Sequence, residues 1–178
     1  MKASSLLDTA VLIEKDRKWC GKICDIRICD HRIVALVLSE GGIFSKAQMI
    51  LPEAVLKAEY DHITIASDQS VQRLSAKEMR EKMKGTSSIT GARVKDRDGD
   101  YFARIADAVI DLDYRISEYE LSRSFFDDLD YGYGIVRAEE MHVDSDGSFV
   151  YERDMLDIQK TGREGGILKK LLGEEREK

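Results

Sequence analysis

The sequence predicts a mainly β protein made of two copies of one short-stranded unit, and three observations lead to that class. Apolar and β-branched residues alternate with polar ones over short runs, and turn residues recur at close intervals, the pattern of half-buried strands. The second half repeats the first in order: Val11 matches Val94, Ile23 matches Ile105, Asp25 matches Asp107, Ile28 matches Ile110 and Ile33 matches Ile116. Leu38-Ser39 matches Leu121-Ser122, Glu53 matches Glu139, and Ile63 and Ile65 match Phe149 and Tyr151, at offsets of 82 to 86 residues with insertions where turns are expected. Between the copies stands one stretch of helix formers.

Taken in order, Asp16-Arg17-Lys18 and Asp96-Arg97-Asp98-Gly99 each separate a short strand from a longer one. The long strands are expected near Trp19 to Cys29 and Tyr101 to Leu112. Asp30-His31-Arg32 and Asp113-Tyr114-Arg115 then turn the chain into Ile33 to Ser39 and Ile116 to Ser122, a hairpin in both halves. Each unit closes with Ile50-Leu51-Pro52 or Ile135-Val136-Arg137, a short acidic segment and a last strand. The linker, Leu74 to Lys84, reads as a helix with Ser75 as N-cap and Glu78 three residues on, ending before Gly85. After Tyr151 come Gly162, Gly165 and Gly166 and the run Ile167 to Leu172. The expected segments are therefore a first unit at 1–73, a linker helix at 74–85, a second unit at 86–152 and a helical or flexible tail at 153–178.

Composition bounds the function. The chain has 178 residues, 43% hydrophobic and 35% charged, and no apolar run near the ~18 residues of a membrane span. Its start shows no secretion signal, and three crowded cysteines, Cys20, Cys24 and Cys29, suit a reducing cytoplasm better than a disulfide framework. On a regular strand Cys20 and Cys24 would share a face about 13 Å apart, too far for one tetrahedral metal, so these thiols are expected as buried small hydrophobes. The formal charge of −6 disfavours direct nucleic-acid binding. Residues 1–84, 85–152 and 153–178 carry nets of +2, −9 and +1; an acidic middle of this kind steers a basic partner or the first half of a neighbouring copy, or serves as a solvated face that aids solubility.

Candidate chemistry is sparse. His31, His62 and His142 follow no metal-helix spacing, and no serine or cysteine has a nucleophile context. Asp96-x-Asp98-Gly99-Asp100 and Asp144-Ser145-Asp146-Gly147 resemble calcium-loop fragments but lack the twelve-residue frame, and read as Asp-Gly turns. No catalytic, cofactor or metal residue is therefore expected. Phe125, Phe126, Tyr131 and Tyr133 form an aromatic tip in the longest insertion of the second copy, and Ile167, Leu168, Leu171 and Leu172 would share one face of a tail helix. These eight residues are the expected partner contacts.

Gly21-Lys22-Ile23-Cys24-Asp25-Ile26, then Ile33 to Leu38, Ile43-Phe44 and Ile50-Leu51-Pro52 resemble the frame of the PRC-barrel family. The second copy shows the same frame in Ile89 to Val94, Arg104 to Asp111, Phe125-Phe126 and Ile135-Val136, with Ala103 and Ala138 where Gly21 and Pro52 stand. That family includes the soluble domain of the photosynthetic reaction-centre H subunit, and the ribosome maturation factor carries a similar barrel. The resemblance implies two tandem small β-barrels acting as a non-enzymatic, cytoplasmic interaction module, similar to tandem PRC-barrel proteins of bacteria. The implied partner is a protein, basic or ribosomal in character, with self-association as a further mode and weak peripheral membrane contact through the tail as another. Two alternatives follow: a peripheral component or regulator of a membrane electron-transfer or envelope assembly, and a small-ligand-binding barrel.

Overall fold

A computed structural model describes residues 1–39, 47–124, 128 and 132–160. The chain is mainly β. Seven strands of the first copy are β1 (Ala10–Ile13), β2 (Trp19–Cys29), β3 (Arg32–Ser39), β4 (Ala47–Ile50), β5 (Val55–Ala58), β6 (His62–Ile65) and β7 (Gln72–Leu74). After α1 (Ala76–Lys82) and the short β8 (Ser87–Ser88) follow β9 (Arg93–Lys95), β10 (Tyr101–Ile110), β11 (Ile116–Ser122), β12 (Gly134–Arg137), β13 (Met141–Val143), β14 (Phe149–Tyr151) and β15 (Gln159–Lys160).

The strand order repeats in full. One sheet runs β5-β6-β1-β2-β3-β4-β7 and the other β13-β14-β9-β10-β11-β12-β15, and one of them curves into a half-barrel. In each, a single parallel pair (β1 with β6, β9 with β14) sits among antiparallel ladders. The edge strands of each path are not laddered to each other among the described residues, so no continuous hydrogen-bonded ring is seen. Register breaks also repeat: at Ile23/Asp25 and Arg27/Ile28 in β2, and at Ile105/Asp107 and Val109/Ile110 in β10. Matching bulges at matching positions carry the sequence repeat into three dimensions, because a bulge fixes both twist and register.

The register break between β1 and β2 corrects an expectation about the thiols. Val11 faces Gly21 and Leu12 faces Trp19, so Cys20 is the extra residue and the alternation flips after it: Cys20 is buried while Cys24, four residues on, is exposed, as is Cys29 at the strand end. Desolvation and neighbouring Asp25 hold the Cys24 thiol above its ordinary range. At neutral pH a thiol reagent should modify Cys29 first, Cys24 more slowly and Cys20 only on unfolding. Peptide mass mapping over time reads that order, and native-state labelling of Cys20 at the Cys29 rate would contradict it.

The helix forms as its sequence requires. Ser75 accepts from the Glu78 amide, and the Glu78 carboxylate accepts from the Ser75 amide, closing a capping box at the start of α1.

Strand pairing crosses the segment boundaries expected from sequence. Ser87 and Ser88, at the start of the second copy, pair with Ile28 and Arg27 of β2. Reciprocally, Lys2 bridges Val109, the Met1 nitrogen donates to the Ile110 carbonyl (2.6 Å), and the Ile110 amide donates to the Met1 carbonyl (2.7 Å). The hairpin turns exchange bonds too: Ile33 N–H to the Tyr114 carbonyl at 2.9 Å, and Ile116 N–H to the His31 carbonyl at 2.8 Å. Both turn residues adopt the left-handed conformation, φ 57° at His31 and 59° at Tyr114. One hydrophobic cluster runs through both copies, from Ile23, Ile26 and Ile33 to Ile110, Ile116 and Tyr119. Gln159 and Lys160, expected in the tail, join the second sheet as β15 beside β12, and Ile158 is buried against Gly134. A Cβ at Gly134 would lie 2.6 Å from Ile158 Cγ2, so any other residue there requires Ile158 to shift.

Candidate interaction surface

Of the eight residues expected as partner contacts, Tyr133 is described: it is partly exposed and immediately precedes β12. Phe125, Phe126, Tyr131, Ile167, Leu168, Leu171 and Leu172 lie outside the described residues.

Many carboxylates of the acidic second copy have local structural work. Asp96 Oδ1 accepts from the amides of Asp98 (3.0 Å) and Asp100 (2.9 Å), and Asp111 Oδ1 from those of Asp113 and Arg115, both at 2.8 Å. Gly99 and Gly147 hold positive φ in their turns, as Asp-Gly turns require. Lys95 and Ser148 hold the Asp146 carboxyl far below its usual range. Lys2 reaches Glu120 at 2.8 Å, and both Ser4 polar groups donate to Asp107.

The histidines are engaged as well. His31 Nε2 lies 2.9 Å from the Met141 carbonyl, which can only accept, so in the neutral ring Nδ1 accepts the Tyr119 hydroxyl, also at 2.9 Å. A first-copy turn is thereby pinned inside the second. Buried His62 meets Asp61 through Nδ1 and Glu59 through Nε2, both at 2.8 Å, with the Arg17 guanidinium 3.0 Å from Nε2. One ligand atom each of Glu59, Asp61 and His62 lies within 4.8 Å of the others, yet Lys57 and Arg17 already face them. Two cations in the set make it an internally balanced ion network and a poor fit to a metal. His142 pairs with Glu152. At the seam between the copies a cleft of about 560 Å³ is lined by Cys29, His31, Ser87, His142 and Asp144 among others.

A different surface carries unbalanced charge. On the β9–β10 ladder, Arg93 and Arg104 are direct cross-strand partners, and both are exposed. Like charges so placed disfavour the sheet, by roughly 0.2–1 kcal/mol. Arg123, just beyond β11, completes the set, and the three line a recess of about 280 Å³ with Tyr101, Phe102 and Ala103. The Arg93 guanidinium carbon lies 5.2 Å from the Tyr101 ring centre and that of Arg123 5.6 Å from the Phe102 ring centre, both cation–π distances. Phe102 is itself held 6.4 Å from the buried Tyr151 ring. Among the described residues none of the three guanidinium groups has a carboxylate partner, though that of Arg123 donates to the Met155 carbonyl at 3.2 Å and the Arg123 amide donates to Asp128 Oδ1 at 3.3 Å, whereas neighbouring Lys95 has two, Asp144 and Asp146.

The first copy lacks this arrangement. Its register pairs Ala10 with Lys22 where the second pairs Arg93 with Arg104, and the strand that opens with Trp19-Cys20 corresponds to the one opening with Tyr101-Phe102. The repeat contains this signal, because aligning the copies sets Ala10 beside Arg93. Reading it as a charge pair required the cross-strand register, which turns on the bulges. No family model and no curated protein matches the chain. Among the described residues no helix is long and apolar enough to cross a membrane.

Proposed function

We propose that this chain is a non-enzymatic protein-interaction module built from two PRC-type barrel units, which docks a protein partner on the outer face of the second unit and through the segment after Lys160. The observation that carries this reading is the divergence between copies. The two frameworks share one strand order and the register breaks of β2 and β10, so these common features are what the fold needs. The exposed arginine pair of β9 and β10 is an addition that burdens the sheet with no carboxylate partner among the described residues, and Arg123 stands beside it. A residue set that disfavours its own fold is expected where binding holds it. The engaged histidines support a docking role over catalysis, since the lone pair of each His31 ring nitrogen or its proton is already committed.

The test is retention of proteins from native lysate on the immobilised full chain, compared with a chain ending at Lys160, at two salt concentrations. A specific, salt-sensitive partner retained by the full chain and reduced by truncation supports the reading. Recovery of the chain alone overturns it.

A further inference from the structure

We infer that the recess formed by Arg93, Arg104 and Arg123 with Tyr101 and Phe102 binds an acidic peptide segment of the partner protein, its carboxylates bridging the cross-strand arginine pair. This rests on the docking reading above and names the chemistry of the docked segment. Charge complementarity is the first argument: the guanidinium groups of Arg93, Arg104 and Arg123 line one recess with no ion pair to a carboxylate among the described residues, that of Arg123 donating to the Met155 carbonyl, so an arriving carboxylate relieves the repulsion of the Arg93–Arg104 pair. Preorganisation is the second. Arg93 and Arg123 each lie over an aromatic ring, so their faces are covered and the planar forks are held for bidentate acceptors.

The same geometry argues against a nucleic acid. Arg93 and Lys95 both lie 5.2 Å from the Tyr101 ring centre, leaving the ring a poor stacking platform for a base. Residues 85–152 carry a net −9, which repels a long polyanion while allowing a short acidic stretch to reach one recess. A volume of about 280 Å³ suits a few carboxylate side chains and is at the small end for a cofactor.

The experiment is fluorescence anisotropy of a labelled Glu/Asp-rich peptide against the full chain, with its Gln/Asn counterpart and an oligo-dT strand of equal length as comparison probes. The double variant R93Q/R104Q should weaken binding of the acidic peptide at least about tenfold, while R80Q on α1 leaves it unchanged. Its thermal midpoint should equal or exceed that of the parent, because a repulsion has been removed; a purely structural role for the arginines would lower it. Partial retention in R93K/R104K would show that the planar fork matters beyond charge. Preference for oligo-dT, equal binding of the Gln/Asn peptide, or indifference to R93Q/R104Q would each overturn the inference. Lysate retention separates the two readings: a partner still held by R93Q/R104Q leaves docking standing and removes this recess from it, whereas no partner on the parent chain removes docking itself.

Discussion

Truncating Tyr119 to alanine is expected to destabilise the protein by about 3–5 kcal/mol, the range for emptying a large aromatic site in a packed core. Tyr119 has no exposed surface, its ring meets Phe149 edge-on with centres 5.4 Å apart, and its hydroxyl holds His31 of the other copy. The loss therefore falls on the core of one unit and the seam to the other at once, and chemical denaturation should show one displaced transition. Tyr119→Phe isolates the polar part: His31 Nδ1 loses its donor, at about 1–2 kcal/mol near neutral pH. Alkali reverses the comparison. Burial pushes the Tyr119 phenol well above its ordinary value of 10, so the folded state keeps a proton that the unfolded state releases. The resulting stability is complete below pH 10 and is lost as pH rises above it. The phenylalanine variant should show a shallower alkaline decline, though not a flat one, because Tyr114 and Tyr151 are raised by burial too. An unchanged alkaline slope in Tyr119→Phe would refute the assignment.

The second large effect is expected from Asp25→Ala combined with Asp107→Ala. These matched residues stand at the matched bulges, and each accepts from the opening segment of the other copy: Ser88 Oγ to Asp25 at 2.6 Å, and Ser4 Oγ to Asp107 at 2.6 Å. Each also accepts from the amide that follows it, at 2.9 Å in Ile26 and 2.8 Å in Ala108. Removing both should cost about 2–4 kcal/mol, because charge-assisted bonds are worth about 1.5–3 kcal/mol and these are partly exposed. Hydrogen exchange should localise the damage, with Ser4 and Ile89 amides losing protection ahead of the β3 and β11 ladders. Uniform loss across both sheets would instead mean that the aspartates support the whole core.

Much of this fold can be read from the residues because its signals are local. Alternation locates the long strands to within a residue or two, and Ser75 with Glu78 marks the start of α1, since a capping box depends on a four-residue pattern alone. The repeat fixes a common order for both sheets. What escapes is whatever depends on register. Cys24 changes face because Cys20 is an extra residue between Trp19 and Gly21 in the pairing with β1 and inverts the alternation, and nothing in the composition of that strand announces it. Residues 153–160 look like the beginning of a polar tail, yet Ile158 finds the gap left by the absent side chain of Gly134, a contact between residues distant in sequence. The arginine recess was hidden for the same reason: Arg93, Arg104 and Arg123 are three ordinary surface residues until the β9–β10–β11 ladders set them side by side. The count of −9 is legible in the sequence, whereas the bond that brings Ser4 of the first copy to Asp107 of the second appears only once the strands are in register.

The reciprocal seam has a consequence for stoichiometry. Two separate copies of one such unit, each lending its first residues and its hairpin turn to the other, would form this same seam as a symmetric pair, with every surface present twice. Joining the copies through α1 keeps the partner at a fixed high local concentration and frees each half to differ. A symmetric pair carrying the arginines would offer two identical recesses and bind ligands two at a time. The fused chain offers one, so a complex with its partner is expected to contain one molecule of each.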